Sequence, residues 1–322
     1  MKLKLFIFNK FIVVVLFIFF LLIFFPQYSK KFNHIHIAMS LTNNYTYPIM
    51  VSITSILLNS KKKTFLNFHL LIGDDVEKCN KRKIKTLKRI NHNSIYNFYN
   101  VGHNFKGWIH GRDRTIAAFY RIILGEIIKN INIIIYLDGD TITYHDLTEM
   151  YNLNMKNLYF RGVGETTWSE RKTKKKFICD GVMLMNLKLI RRDNIYNDFR
   201  KYYLKFYNKG IYYGDQQIIN EIFNNKIGLL PPKFGMWIIN KQIIKQYMKL
   251  KPLIYTKKEL IESIKNPTIR HIWGLNKKGT EYYNKPWLSN QNYKIKLEWN
   301  YYAKKTGYYS SICQFFKKAC IF

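Results

Sequence analysis

The run Ile133 to Leu137 is apolar and rich in β-branched residues, follows a helix-like stretch ending near Lys129, and stops at Asp138-Gly139-Asp140. A short apolar run bounded in this way reads as a buried strand. Strand side chains alternate faces, so Asp138 and Asp140 converge on one side, and Gly139 between them leaves room for a ligand's oxygens near the backbone. Hard oxygen ligands of this kind suit Mg²⁺ or Mn²⁺, usually completed by a nucleotide's phosphates. Asp and Gly are also common turn residues, so the triplet alone is equally a strand-ending turn. Its surroundings decide between the two.

From His34 onward short apolar runs alternate with amphipathic stretches. Ile35 to Leu41, Phe65 to Ile72 and Ile95 to Val101 read as strands, with Pro48 to Leu58 and the basic stretch Val76 to Ile90 as helices between them. Thr115 to Lys129 carries Ile116, Phe119, Ile123 and Ile127 at helical spacing before the Asp-Gly-Asp strand. Leu158 to Gly164 and Phe177 to Met185 add strands around the charged segment 169–176, and Asp215 to Phe223 starts a helix after Gly214. Such alternation predicts an α/β fold with a mostly parallel central sheet, in which ligands bind beyond the carboxyl ends of the strands. Asp138 and Asp140 lie at such an end. No repeat or Pro/Gly-rich linker interrupts Ile35 to Trp287, so 34–290 reads as one domain and 291–322 as a basic, aromatic C-terminal tail.

With 322 residues, 48% of them hydrophobic, the chain can build a large core. A formal charge of +33 invites a polyanion-binding reading. Asn, Ile, Lys, Tyr and Phe are abundant throughout, however, as codon bias in an AT-rich genome produces. No zinc-finger spacing, aromatic RNA-binding signature or basic helix leading into heptads is present, and no nucleic-acid partner is expected. Cys79, Cys179, Cys313 and Cys320 form no C-x-x-C pair, and only Cys313 with Cys320 is a sequence-local candidate for a disulfide.

Phe11 to Phe25 is wholly apolar. Counted from Leu5, with Lys10 snorkelling, the stretch 5–25 is long enough to span a bilayer, and the residues after Pro26 offer no small-residue cleavage site. The expected organisation is a tail at 1–10, an uncleaved membrane anchor at 11–25 and a stem at 26–33. Lysines on both sides of the anchor leave its orientation open.

Several separated segments line up with one pattern: IAMSLTNNYTYP from Ile37, AAFYRIILGEII before YLDGD, GVMLMNL from Gly181, YGDQQIIN from Tyr213, HIWG from His271 and KPW from Lys285. In order and spacing they resemble glycosyltransferase family 8, the retaining, sugar-nucleotide-dependent enzymes that include glycogenins and bacterial lipopolysaccharide glycosyltransferases. The resemblance implies a Rossmann-like nucleotide-binding domain of the glycosyltransferase A type. Asp138 and Asp140 would then bind Mn²⁺ (or Mg²⁺) on the diphosphate of a UDP-sugar, with His271 as the third protein ligand.

The same resemblance places Ser40, Thr42, Asn44 and Tyr45 around uridine and ribose, Asp138, Gly139 and Arg121 against the nucleotide or sugar, and Gly274 and Lys285 at the diphosphate. Glu165, Asp215 and Gln216 fall on sugar-facing positions. Gln216 is assigned polar stabilisation of the oxocarbenium-like sugar, and Asp215 is assigned to the donor's hydroxyls. Among apolar neighbours, Arg121 is also expected to have a buried charge partner, since an unpaired buried guanidinium is costly. The chain departs from the pattern at Thr42, where Asp is usual. At Cys179-Asp180-Gly181 the family commonly has Asn, then Ala or Ser, then Gly. An insertion follows Gly274, so that Lys277 or Lys278 can take the role given to Lys285. Asn44-Tyr45-Thr46 is a glycosylation sequon, and since a glycan there would block the nucleotide pocket it is expected to be unmodified.

The resulting expectation is a membrane-anchored, retaining, metal-dependent glycosyltransferase that moves a hexose or pentose from a UDP-sugar to a glycan, glycolipid or glycoprotein acceptor. In a eukaryote it would be a single-pass Golgi or endoplasmic-reticulum protein, and in a bacterium an inner-membrane enzyme. Two alternatives stay open: a metal-dependent sugar-nucleotide hydrolase or nucleotidyltransferase using the same aspartates, and a non-catalytic, membrane-tethered polyanion-binding protein.

Overall fold

The computed structural model describes residues 32–110, 115–164, 176–212, 214–236, 244–245, 248–249, 254–272, 285–288 and 293–317. The segment 11–25, expected to be a membrane anchor, lies outside them. Among the described residues no helix is long and apolar enough to cross a membrane.

Apolar alternation along the strands sets the architecture. In β1 (Asn33–Leu41), Ile35, Ile37, Met39 and Leu41 enter one buried cluster while Ala38 enters another. Ile135 and Leu137 of β4 (Ile133–Leu137) join the first cluster, and Ile134 and Tyr136 the second. Strands apolar on both faces need cover on both. They sit at the centre of a seven-stranded sheet of order β3-β2-β1-β4-β7-β6-β8, completed by β2 (Thr64–Ile72), β3 (Ser94–Asn100), β6 (Phe160–Gly164), β7 (Ile178–Asn186) and β8 (Ile227–Leu229). β1 runs parallel to β4, β2 to β3, and β6 to β8. β7 is antiparallel to both its neighbours, a reversal that apolar periodicity alone does not reveal. A second, two-stranded sheet pairs β5 (Thr141–Thr143) with β9 (Ile269–His271), with Thr141 opposite His271.

The first face is closed by α1 (Thr46–Asn59), α2 (Lys78–Thr86) and further helices. The second is closed by the 3₁₀ segment Ile116–Ile123 with its continuation α3 (Leu124–Ile127), and by later helices. Numbering continues with α4 (Thr148–Tyr151), α5 (Leu187–Arg192), α6 (Ile195–Tyr207), α7 (Asp215–Ile222) and α8 (Lys257–Lys265), and ends with α9 (Tyr293–Lys305) and α10 (Tyr309–Phe315). α5, α6 and α7 close the second face, and α4, α8, α9 and α10 the first.

Two expectations change in form. The Thr115–Lys129 stretch is mostly 3₁₀ rather than α-helical, because apolar residues three and four apart suit either winding. The tighter turn eclipses residues three apart, so Ala118 and Arg121 share one side. The segment set apart as a tail forms α9 and α10, which bury Trp299, Ala303 and Ile312 in the first cluster. Its Lys and Tyr content masks a stripe at Ile295, Trp299 and Tyr302, the buried face of an amphipathic helix. Cys313 is disulfide-bonded and Cys79 and Cys179 are not, while Cys320 lies outside the described residues.

Candidate active site

The ends of β1, β4 and β9, the start of β7, the 3₁₀ segment and the N-terminus of α7 meet around a cleft lined by Ser40, Thr42, Tyr45, Thr115, Ala117, Ala118, Arg121, Tyr136, Asp138, Gly139, Asp140, Cys179, Asp180, Gln216, His271 and Lys285. Backbone pairing assembles its centre. Asp138 N–H donates to the Gly181 carbonyl (2.8 Å), and Ile272 N–H donates to the Asp140 carbonyl (2.8 Å). Together with the Thr141–His271 register, these bonds bring the strand-ending aspartates and His271 to one point although they are far apart in sequence.

Asp138, Asp140 and His271 each offer one ligand atom, all within 4.8 Å of one another. His271 Nε2 is 3.2 Å from Asp140 Oδ1 and 3.8 Å from Asp138 Oδ2. Asp140 is buried, and its Oδ1 accepts no hydrogen bond. Two carboxylates, an imidazole and an orphaned buried oxygen fit a divalent ion such as Mn²⁺ or Mg²⁺. The Cys179 thiol lies 3.4 Å from His271 Nδ1, on the ring atom turned away from the aspartates. Gly181 is obligatory here: a Cβ would stand 2.7 Å from Asp138 Oδ2 and 2.7 Å from His271 Nε2. Gly139 is small for a different reason than ligand approach alone, since a Cβ there would meet Ile49 Cγ1 at 2.6 Å and Tyr45 Cδ1 at 3.1 Å.

Arg121 has its expected buried partners, and they are acidic residues of the chain itself. Its guanidinium contacts Asp138 Oδ1 (3.0 Å), Asp180 Oδ2 (3.3 Å) and Asp215 Oδ2 (3.0 Å). It also donates to the Asp180 carbonyl and lies 4.3 Å over the Tyr136 ring. Asp215 is paired on its other oxygen with His110 Nε2 at 3.2 Å, both side chains being 1% exposed. Burial opposes charge on Asp215, but Arg121 and His110 outweigh it and hold the carboxyl well below the usual range. Burial pushes Asp180 far up, with Asp215 and Asp138 adding to the shift.

The remaining expected residues divide clearly. Ser40, Thr42 and Tyr45 line the cleft, with Ser40 Oγ receiving the Tyr136 hydroxyl at 2.9 Å. Asn44 is exposed and does not line it. Gln216 lines the cleft, whereas Asp215 is buried behind Arg121. Lys285 lines the cleft as well, its ammonium against Asp140 Oδ2 and 3.2 Å from the Ile272 carbonyl. Glu165, Gly274, Lys277 and Lys278 lie outside the described residues. His110 was not anticipated, and nothing in its sequence context marks it. Asp180 carried a signal: a carboxylate interrupting an apolar strand needs a partner.

A family model described as "Glycosyl transferase family 8" matches residues 36–291. The chain is 27% identical over 221 residues, 66% of each sequence, to a "Putative glycosyltransferase" of Haemophilus influenzae. Among solved structures it resembles the bifunctional glycosyltransferase WbbM (TM-score 0.70, 17% identity, 90% of this chain and 52% of that one). It also resembles the galactosyltransferase LgtC in complex with donor and acceptor sugar analogues (TM-score 0.65, 18% identity, 84% and 96%). At these identities the structural likenesses are of fold. The chain spans just under two thirds of the curated relative's length and about half of WbbM.

Proposed function

Because the chain belongs to glycosyl transferase family 8, we propose that it transfers a hexose or pentose, with retention, from a UDP-sugar to a glycan, glycolipid or glycoprotein acceptor. The observation that carries this reading is the meeting of Asp138, Asp140 and His271 in a cleft at the strand ends. These three residues would hold Mn²⁺ (or Mg²⁺), which when bound neutralises charge on the departing diphosphate. Ser40, Thr42 and Tyr45 would take the nucleoside. Lys285, poised beside Asp140, supplies a mobile cation for the diphosphate. Gln216 offers its amide to the sugar as positive charge develops at the anomeric carbon, and Asp215, kept ionised by Arg121 and His110, fixes the sugar-side wall.

With the anchor at 11–25 the enzyme would act at a membrane, and detergent-free fractionation of cells making the full chain tests that placement. The activity is tested by incubating the full chain, in detergent, with a panel of UDP-sugars and measuring Mn²⁺-dependent UDP release, alongside Asp140→Ala. Release that needs one sugar and the metal and disappears in the variant supports the reading. A folded protein that neither binds UDP with Mn²⁺ nor releases it sinks the reading, and release never accompanied by transfer to an acceptor points to a hydrolase.

A further inference from the structure

One nitrogen of His271 faces the aspartates and the other does not. Nε2 is the atom near Asp138 and Asp140, and Nδ1 is turned to Cys179 Sγ at 3.4 Å. Both residues are buried, His271 being 5% and Cys179 8% exposed, and both still line the cleft. Strand geometry sets the contact. Cys179 and Gly181 lie two apart on β7 and so share a face. A Cβ at Gly181 would collide with the His271 ring, so the glycine makes room for the imidazole while the cysteine meets its Nδ1. β7 is in turn held to β4, with Val182 opposite Leu137 and the Gly181 carbonyl accepting the Asp138 N–H. Cys179 is also a departure from the family pattern, which commonly has Asn at that place.

A neutral imidazole carries one proton, and a ring that gives Nε2 to a metal carries that proton on Nδ1. The buried Nδ1–H then needs an acceptor, and among the described residues Cys179 Sγ is the partner it has. We infer that Cys179 is a positioning residue for the divalent ion: its sulfur accepts the hydrogen bond from His271 Nδ1, fixing the tautomer and the turn of the ring that present Nε2 beside Asp138 and Asp140. The inference rests on reading these three residues as the metal site of a sugar-nucleotide enzyme. Partners that hold a metal-bound His from behind typically govern metal affinity by about 10–100-fold. Sulfur is a weak acceptor, so the effect here belongs near the lower end of that range.

The test is calorimetric binding of UDP to the full chain in detergent, with Mn²⁺ and again with EDTA, for wild type, Cys179→Val, Cys179→Ser and Cys179→Ala. Valine fills the space without offering an acceptor, whereas serine is smaller but keeps one, so packing and hydrogen bonding predict opposite orders. With Mn²⁺, Cys179→Val should bind UDP about tenfold more weakly than wild type, and Cys179→Ser should stay within about threefold of it. With EDTA all should agree within about twofold, because Ser40, Thr42 and Tyr45, the residues assigned to the nucleoside, are untouched. Should Cys179→Val fail to fold by far-ultraviolet circular dichroism, Cys179→Ala takes its place as the variant without an acceptor. A folded Cys179→Val that keeps wild-type affinity with Mn²⁺, a Cys179→Ser that falls as far as Cys179→Val, or an equal loss with EDTA overturns the inference. Absence of any Mn²⁺ enhancement of UDP binding by wild type overturns instead the metal-site reading beneath it.

Discussion

Arg121 is buried against Asp138, Asp180 and Asp215, and its fan of donors is what allows acids from three separate segments to share one small volume. Arg121→Met keeps bulk but removes the charge, leaving Asp138, Asp180 and Asp215 crowded together without the cation they share. The expected loss is about 3–5 kcal/mol of stability in urea unfolding. Arg121→Lys should rescue only part of it, since an ammonium cannot reproduce the fork; a loss below about 1 kcal/mol for the Met variant would contradict this account. Gly181→Ala tests the neighbouring close approach. Its Cβ would wedge between Asp138 and His271, so Mn²⁺-dependent UDP binding should fall at least tenfold while far-ultraviolet circular dichroism stays native, as a second-layer disturbance of metal ligands does. At this scale the meeting of Asp138, Asp140 and His271 was legible only through the family resemblance: the strand-ending aspartates suggest hard-ligand chemistry by themselves, whereas His271 is marked by its place in HIWG upstream of KPW. That Arg121 needs a buried acidic partner was also readable, but not which acids supply it, since Asp180 and Asp215 arrive from segments 59 and more residues away.

At the scale of elements, β1 and β2 are joined by more than their ladder. His36 Nδ1 meets His69 Nε2 at 3.1 Å, and His69 Nδ1 meets the Tyr99 hydroxyl on β3 at 3.0 Å. Burial, with a neighbouring imidazole adding to it, lowers both histidines to about 4. The unfolded chain, with ordinary histidines near 6.5, therefore binds more protons than the folded one between about pH 6.5 and 4. Stability from this pair is intact above that window and drains away as pH falls through it. Denaturant unfolding at pH 7.5 and 5 should show the difference, and His36→Asn should flatten it. An equally steep fall in that variant would assign the acid sensitivity elsewhere. The strands themselves were readable from alternation, because burial on two faces writes itself into composition. The 3₁₀ winding of Ile116–Ile123 was not, since i+3 and i+4 apolar spacings overlap.

At the scale of the whole molecule, the family match ends at residue 291, yet the first-face cluster does not. Trp299 is 1% exposed and its ring centroid lies 5.6 Å from that of Trp287, which carries the KPW segment. Asn59 of α1 donates to the Tyr302 hydroxyl at 3.0 Å, and Arg89 donates to the Thr306 carbonyl at 2.5 Å. α1 in turn touches Gly139 through Ile49, so the C-terminal helices buttress the floor of the cleft from behind. Composition concealed this: a Lys- and Tyr-rich terminus reads as a solvated tail until its apolar stripe finds a partner. Trp299→Ala should therefore cost about 3–5 kcal/mol, the usual range for emptying a buried aromatic site. Removal of residues 293–322 should do more, exposing the apolar side of α1 and abolishing a cooperative thermal transition. A truncated chain that still melts cooperatively within a few degrees of the intact one and binds UDP with Mn²⁺ would show that α9 and α10 are accessories. A membrane-facing role for their exposed lysines would then become the better explanation of why the helices are there.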